Sequence, residues 1–332
     1  MSKTLYIFSS GQLRRRENTL CVITKDKKHY LPVTNVSDIF IFGEVEINKR
    51  ILEFLTRNKI PVHFFNRDGY YIGTYYPREY LNSGYMLLKQ AEHYLDPDKR
   101  IQIARKLVKG SITNILKVLS YYRNRLSDKN LDALIESITS YVPELAKCKT
   151  TEQLMAIEGN ARETYYSAFD IILKNSDFMF NKRTKRPPQN RLNALISFGN
   201  SFLYTVCLSE IYKTHMDPRI GFLHATNFRR FSLNLDIAEI FKPIIVDRAI
   251  FTVINKKIIK ASHFENKTGG IILNEAGKRA FVSALEERLN STIKHRSLGR
   301  NVSYRTLIRM EVYKLEKHLL GDREYEPFIS RW

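Results

Sequence analysis

The sequence predicts a two-domain α+β protein, with a small β-rich N-terminal domain over residues 1–80 and a larger all-α domain over residues 81–332. Three observations carry this. The chain has 332 residues, more than one typical domain holds. Its hydrophobic pattern changes near Pro77 from short β-like runs to sustained helical spacing. Its charge is unevenly divided: residues 1–85 hold 13 Lys and Arg against 8 Asp and Glu, which leaves fifteen of the +20 net charge for the helical part. With 43% hydrophobic and 12% aromatic residues, both parts can bury a core, and disorder is excluded.

The runs Leu5-Tyr6-Ile7-Phe8, Thr19-Leu20-Cys21-Val22-Ile23, residues 29–33 and Ile39-Phe40-Ile41-Phe42 are rich in β-branched and aromatic residues and are separated by turn material, so each reads as a strand. Ile51, Leu52, Phe54 and Leu55 fall at helical spacing within residues 48–58. Strands return at residues 60–65 and 70–76, with Asp68-Gly69 as the hairpin turn between them. From about Tyr85 onward helical faces dominate, such as Ile101, Ala104, Leu107 and Val108, then Ile112, Ile115, Leu116 and Leu119.

A breakpoint follows at residues 181–191. Lys182, Arg183, Lys185, Arg186 and Arg191 flank Pro187-Pro188, which blocks helix continuation, so the segment reads as an exposed basic loop. Residues 192–209 then carry no charge, long enough to raise the question of a membrane span. Asn193, Ser197 and Asn200 lie on one side of that helix, which reads as a buried helix tied to its neighbours by a polar stripe.

Residues 1–12 lack a signal-peptide pattern, and Cys21, Cys148 and Cys207 lack disulfide or zinc-ligand spacing, so a cytoplasmic protein with reduced cysteines is expected. A surplus of twenty positive charges attracts polyanions, nucleic acid first and an anionic membrane second.

A few acids sit in apolar surroundings inside this basic domain. Glu158 follows Leu154 and Ile157 on a helix and precedes Gly159. Gly221-Phe222-Leu223-His224 precedes a helix that Ser232 would cap, with Asp236, Glu239 and Lys242 spaced three apart on one face. Neighbouring carboxylates repel unless a cation joins them, and carboxylates with one imidazole suit Mg²⁺ or Mn²⁺ better than zinc. Spacing alone leaves another account open: Glu158 as an ordinary helix acid, His224 as a satisfied histidine, and Asp236 and Glu239 as partners for Arg229 and Arg230.

Four blocks in order, Ile157-Glu158-Gly159-Asn160-Ala161-Arg162, Ser197-Phe198-Gly199-Asn200-Ser201, Gly221-Phe222-Leu223-His224 and Leu233-Asn234-Leu235-Asp236-Ile237-Ala238-Glu239, resemble the signature blocks of the universal CRISPR adaptation integrase family. The similarity extends to residues 5–20, 60–69 and 304–332. The resemblance implies an N-terminal domain that forms a homodimer and a helical catalytic domain that binds double-stranded DNA, both the captured prespacer and the CRISPR repeat. It further implies a small ferredoxin-like adaptation partner and no membrane.

The resemblance also implies a Mg²⁺- or Mn²⁺-dependent endonuclease and integrase that joins 3′-hydroxyl ends to the repeat by transesterification, with Glu158, His224 and Glu239 as catalytic metal ligands. Glu239 stands where many relatives have Asp. Asp236 is expected as a ligand or as support for one. Lys242 is expected at a phosphate or in a salt bridge. Arg162, Tyr165, Arg183, Lys185, Arg186, Arg191, Arg229 and Arg230 are candidate nucleic-acid contacts. The alternatives are a non-catalytic nucleic-acid-binding scaffold of the same fold and a general metal-dependent DNA repair nuclease.

Overall fold

A computed structural model describes residues 3–78, 81, 83–226, 231–267, 269–295 and 298–331. The chain divides into two compact units, Met1–Asn82 and Ser83–Trp332.

In the first unit β1 (Lys3–Ile7), β2 (Gly11–Arg16), β3 (Thr19–Ile23), β4 (Lys28–Pro32), β5 (Val36–Ile41) and β6 (Val45–Ile47) precede α1 (Lys49–Arg57). The strands β7 (Val62–Phe65) and β8 (Tyr71–Tyr75) follow it. They form two four-stranded sheets, β1-β5-β7-β8 and β4-β3-β2-β6. Leu13 and Leu20 of one sheet and Ile39, Ile41 and Val62 of the other share a single core with Ile51, Phe54 and Leu55 of α1. Asn48 caps α1 by accepting from Ile51 N at 3.1 Å. Gly69, at φ 88°, turns β7 into β8, and Asn66 Oδ1 accepts from the Asp68 and Tyr70 amides.

The strand β2 went unread because Gly11-Gln-Leu-Arg-Arg-Arg16 offers only Leu13 to the core. Alternation places that one side chain inward, which suffices once β3 pairs beside it.

The second unit contains α2 (Gly84–Leu95), α3 (Pro97–Leu126), α4 (Asn130–Glu144), α5 (Thr151–Leu173), α6 (Arg191–Ile211), α7 (Leu233–Lys242) and α8 (Arg248–Asn255). A hairpin of β9 (Phe264–Lys267) and β10 (Gly270–Leu273) precedes α9 (Glu275–Asn290). A second hairpin, β11 (Thr292–Lys294) with β12 (Asn301–Ser303), leads into α10 (Tyr304–Leu319). These two short ribbons are the strands that the helical periodicity concealed.

The thirty-residue α3 is the spine of this unit. Asp96 caps it by accepting from the Asp98 and Lys99 amides at 3.0 Å, with Pro97 in the first turn, and its buried stripe runs from Ile103 to Tyr122. Helices α4, α5 and α7 pack on it, and α6 packs on α7 and α10. The helix α6 is long and apolar enough to cross a membrane, but 78% of its apolar window is buried inside the unit, so it serves as a core helix.

Its stripe does hold a neighbour, by an unexpected route: Arg183 donates to Asn193 Oδ1 at 2.9 Å and to Ser197 Oγ at 3.0 Å. The polar face therefore anchors the basic loop.

A buried amide fixes the end of α7. Asn114 of α3 donates to Ile240 O at 3.0 Å and Phe328 O at 2.9 Å and accepts from Ser330 N at 2.8 Å. The segment after α10 is thereby strapped across α3 and α7, with Phe328 stacked on Phe241 at 5.5 Å. Asn114→Leu should strand these three backbone groups and cost about 3 kcal/mol, read by urea unfolding. Wild-type stability in that variant would show that the amide does not hold α7.

Candidate functional site

The sequence blocks that stood far apart converge on α5, α7 and the loop before α7. A capping box starts α5, with Gln153 N donating to Thr150 Oγ1 and Gln153 Oε1 accepting from Thr150 N. It carries Glu158 and, one turn on, Arg162. The exposed side of this turn is open, since a Cβ at Gly159 would meet nothing within 4 Å. Gly159 thus leaves room beside Glu158 on the solvent side.

The helix α7 begins without the expected cap. Ser232 makes no capping hydrogen bond. Its hydroxyl instead donates to Arg219 O at 2.7 Å and accepts from Gly221 N at 2.8 Å, tying the preceding loop to the helix start. Asp236 completes that tie. Its Oδ2 accepts from the Phe222 and Leu223 amides, and its Oδ1 accepts from His224 N at 3.0 Å and lies 2.8 Å from His224 Nδ1.

Those donors occupy both carboxylate oxygens, so Asp236 ties the loop amides and the His224 ring to α7. A carboxylate only accepts, so in the neutral ring Nδ1 carries the proton and Nε2 keeps a lone pair. Gly221 is required here, because a Cβ would sit 2.7 Å from Asp236 Oδ2 and 2.8 Å from the Ser232 carbonyl carbon.

Glu239 lies one turn beyond Asp236, buried beside Glu158. Arg162 Nη2 joins the two acids, 3.1 Å from Glu239 Oε2 and 3.4 Å from Glu158 Oε1, and reaches Ser111 Oγ at 3.4 Å. Lys242 pairs with Glu239 Oε1 and lies 4.8 Å from the Tyr204 ring centroid. The salt bridge, one of the two roles the sequence left open for Lys242, is therefore present.

Glu158, at 19% side-chain exposure, and His224, at 24%, form the open edge, while Glu239 is 6% exposed and Asp247 1%. Burial and the Glu239 charge raise the Glu158 pKa. Burial also disfavours ionised Glu239, but Lys242, Arg162 and His224 outweigh it and hold that carboxyl at about 2. Burial works against the His224 cation too, yet the bond to Asp236 leaves its pKa raised.

Several expected nucleic-acid contacts are turned inward. Arg162 is buried and committed to acids, and Tyr165 is fully buried, so neither has a face for a phosphate. Arg183 is spent on α6, and Arg191 pairs with Asp177 at 3.2 Å. Lys182, Lys185 and Arg186 are exposed. Arg229 and Arg230 lie outside the described residues.

Asp247 is the site acid that the sequence reading passed over. It ends a π-helical turn, Pro243–Asp247, between α7 and α8, with Oδ2 3.6 Å from Arg162 Nη1. Its signal was faint: one acid within the apolar run Pro243-Ile-Ile-Val-Asp247.

The fold and these blocks define a CRISPR-associated class of protein with a β-rich unit and a helical unit. The family model for CRISPR associated protein Cas1 matches residues 5–287, and the chain belongs to that family. It is 60% identical over 332 residues, the whole of both chains, to CRISPR-associated endonuclease Cas1 2 of Thermodesulfovibrio yellowstonii. Among solved structures, a CAS1 protein from Thermotoga maritima superposes with a TM-score of 0.89 at 50% identity, over 98% of this chain and 99% of that one. A casposase bound to integration product shares the fold, with a TM-score of 0.87 at 21% identity over 99% of this chain and 96% of that one.

A pH test follows from Glu239. Its folded pKa lies below the unfolded 4.5, so its ion pairs stabilise fully above about pH 4.5 and lose that effect as pH falls toward 2. The stability gap between wild type and Glu239→Gln should therefore close across that window, as measured by chemical unfolding at stepped pH. A constant gap would mean that the Arg162 and Lys242 pairs do not favour ionised Glu239.

Proposed function

We propose that this protein is a divalent-metal-dependent DNA integrase of CRISPR spacer acquisition, joining the 3′-hydroxyl ends of a captured duplex to the CRISPR repeat by transesterification. The observation that carries the reading is the buried Glu158–Arg162–Glu239 cluster with His224, oriented by Asp236, beside Glu239, in the strongly basic part of the chain.

Among the described residues no three His, Cys, Asp or Glu side chains already surround a point that would hold an ion. In kind they fit: Glu158 and Glu239 supply anionic oxygens, His224 supplies Nε2, and the cations now against the acids are Arg162 and Lys242. Glu158, Glu239 and His224 would hold Mg²⁺ or Mn²⁺, and Asp236 would hold His224.

A bound ion supplies Lewis-acid polarisation of a phosphoryl oxygen and stabilises charge on the attacking and leaving oxygens. Asp236 keeps the His224 proton on Nδ1, and Lys242 keeps Glu239 ionised. The exposed Lys182, Lys185 and Arg186 are suited to DNA phosphates, which fix register without reading sequence.

In this reading the β-rich unit makes a homodimer, a small ferredoxin-like partner joins two such dimers, and the complex acts in the cytoplasm. The prespacer and the repeat are its DNA substrates.

Glu158→Ala and His224→Ala should abolish Mn²⁺- or Mg²⁺-dependent integration of a 3′-hydroxyl duplex into a repeat plasmid while keeping wild-type circular dichroism. Normal integration by either variant would overturn the ligand assignment. A scaffold would bind DNA without binding one ion per site in calorimetry, and a repair nuclease would give nicks without strand-transfer products. DNA capture should weaken steeply with salt, because phosphate contacts release counterions.

A further inference from the structure

Three polar atoms at the back of the site face one another without a hydrogen bond of normal geometry. Arg162 Nη1, Asp247 Oδ2 and Tyr165 Oη are each buried without a hydrogen-bond partner. Arg162 uses Nη2 on Ser111, Glu158 and Glu239 and turns Nη1 toward Asp247, which stands off at 3.6 Å. The Tyr165 hydroxyl is close enough to favour the Asp247 carboxylate, yet it makes no bond of normal geometry.

Buried polar groups are normally satisfied, so a guanidinium, a carboxylate and a phenol that stop short of each other need a reason. The π-helical turn supplies the placement. It underwinds the chain between α7 and α8, so Asp247 reaches Arg162 from the same continuous helix that brings Glu239 to it.

A divalent ion at Glu158 and Glu239 would meet the Arg162 guanidinium already there. An arriving dication would repel the guanidinium now held against those two acids, and Arg162 is buried, 8% exposed. We propose that Asp247 is a positioning residue that receives the Arg162 guanidinium when a divalent ion takes Glu158 and Glu239, so that the resident cation is shifted within the pocket. This rests on the metal reading above and deepens it.

The charge balance supports it. With an ion bound, Glu158 and Glu239 face the ion, Arg162 and Lys242, a net charge of plus two, which ionised Asp247 reduces to plus one. Burial raises the Asp247 pKa to about 6, so at neutral pH it is an ionised carboxylate short of a close partner, which the arriving guanidinium would provide.

The test uses the full chain, with Mn²⁺ binding followed by calorimetry at about pH 8, where Asp247 is ionised, and thermal unfolding of the metal-free chain in EDTA. Asp247→Asn should weaken Mn²⁺ binding about tenfold, while the same change in an Arg162→Met background should have almost no effect, because no guanidinium remains to be received. Metal-free Asp247→Asn should unfold at the wild-type temperature or above, since a buried charge without a close partner is gone.

Wild-type affinity in Asp247→Asn, or an equal loss in both backgrounds, would overturn the proposal. So would a lowered metal-free unfolding temperature, or failure of both Asp247→Asn and Asp247→Ser to fold, because Asp247 would then be structural. If the wild type binds no Mn²⁺, or Glu158→Gln binds it normally, the metal reading falls and this inference falls with it. If the wild type binds and Glu158→Gln does not, a normal Asp247→Asn removes only the present inference.

Discussion

The Arg162 guanidinium, buried among Glu158, Glu239 and Asp247, is the interaction around which the helical unit is arranged. A buried charge is tolerated only when paired, and here one cation is hydrogen-bonded to acids from α5 and α7 and stands 3.6 Å from a third at the α7–α8 junction. Lys242 adds a second cation on Glu239, backed by the Tyr204 ring. These pairs let carboxylates with opposite pKa directions sit side by side, Glu239 held down and Glu158 pushed up. The acid nearer solvent is the more readily protonated one, and the inner acid stays charged.

Holding such a cluster needs a rigid frame, and the frame is polar as well as apolar. The apolar stripe of α3 packs against α4, α5 and α7. Asn114 adds directional bonds to that packing, donating to the Ile240 carbonyl next to Glu239 and holding the chain segment strapped over it. Glu311 fixes the strap from the other side, accepting from Tyr325 Oη at 2.7 Å and Phe328 N at 3.0 Å. Carboxylate positions at the site therefore depend on residues well outside the signature blocks.

The parts of the sequence that could be read were those governed by local pattern. Period-two runs gave most strands of the first unit, helical spacing gave α1 and the helices around Ile103 and Leu195, and Asp68-Gly69 gave its turn. The strand β2 was illegible because a half-buried strand needs only Leu13 inward, and its arginines resemble loop composition. Candidate site residues could be named from the sequence, but their arrangement could not. Nothing local shows that Ser232 would serve Arg219 and Gly221 in place of a cap, or that Arg162 would face inward, because both depend on partners distant in sequence. Asp247 was missed for the same reason, since its partner lies 85 positions earlier and the π turn that aims it has no composition signal.

The opening charge surplus gains meaning from this inward cluster. Fifteen of twenty excess positive charges belong to the helical part, yet the cations that touch the site's acids, Arg162 and Lys242, are buried and paired with those acids. In the proposed reading the field that draws a polyanion comes from other side chains, such as the exposed Lys185 and Arg186. Attraction of a DNA backbone and balance of the site's own acids are then divided between different cations. That division is physically necessary, because a cation that left Glu239 for a phosphate would strand a buried carboxylate. A chain that binds a polyanion and also gathers acids must keep the two sets of charges apart, and here burial is what separates them.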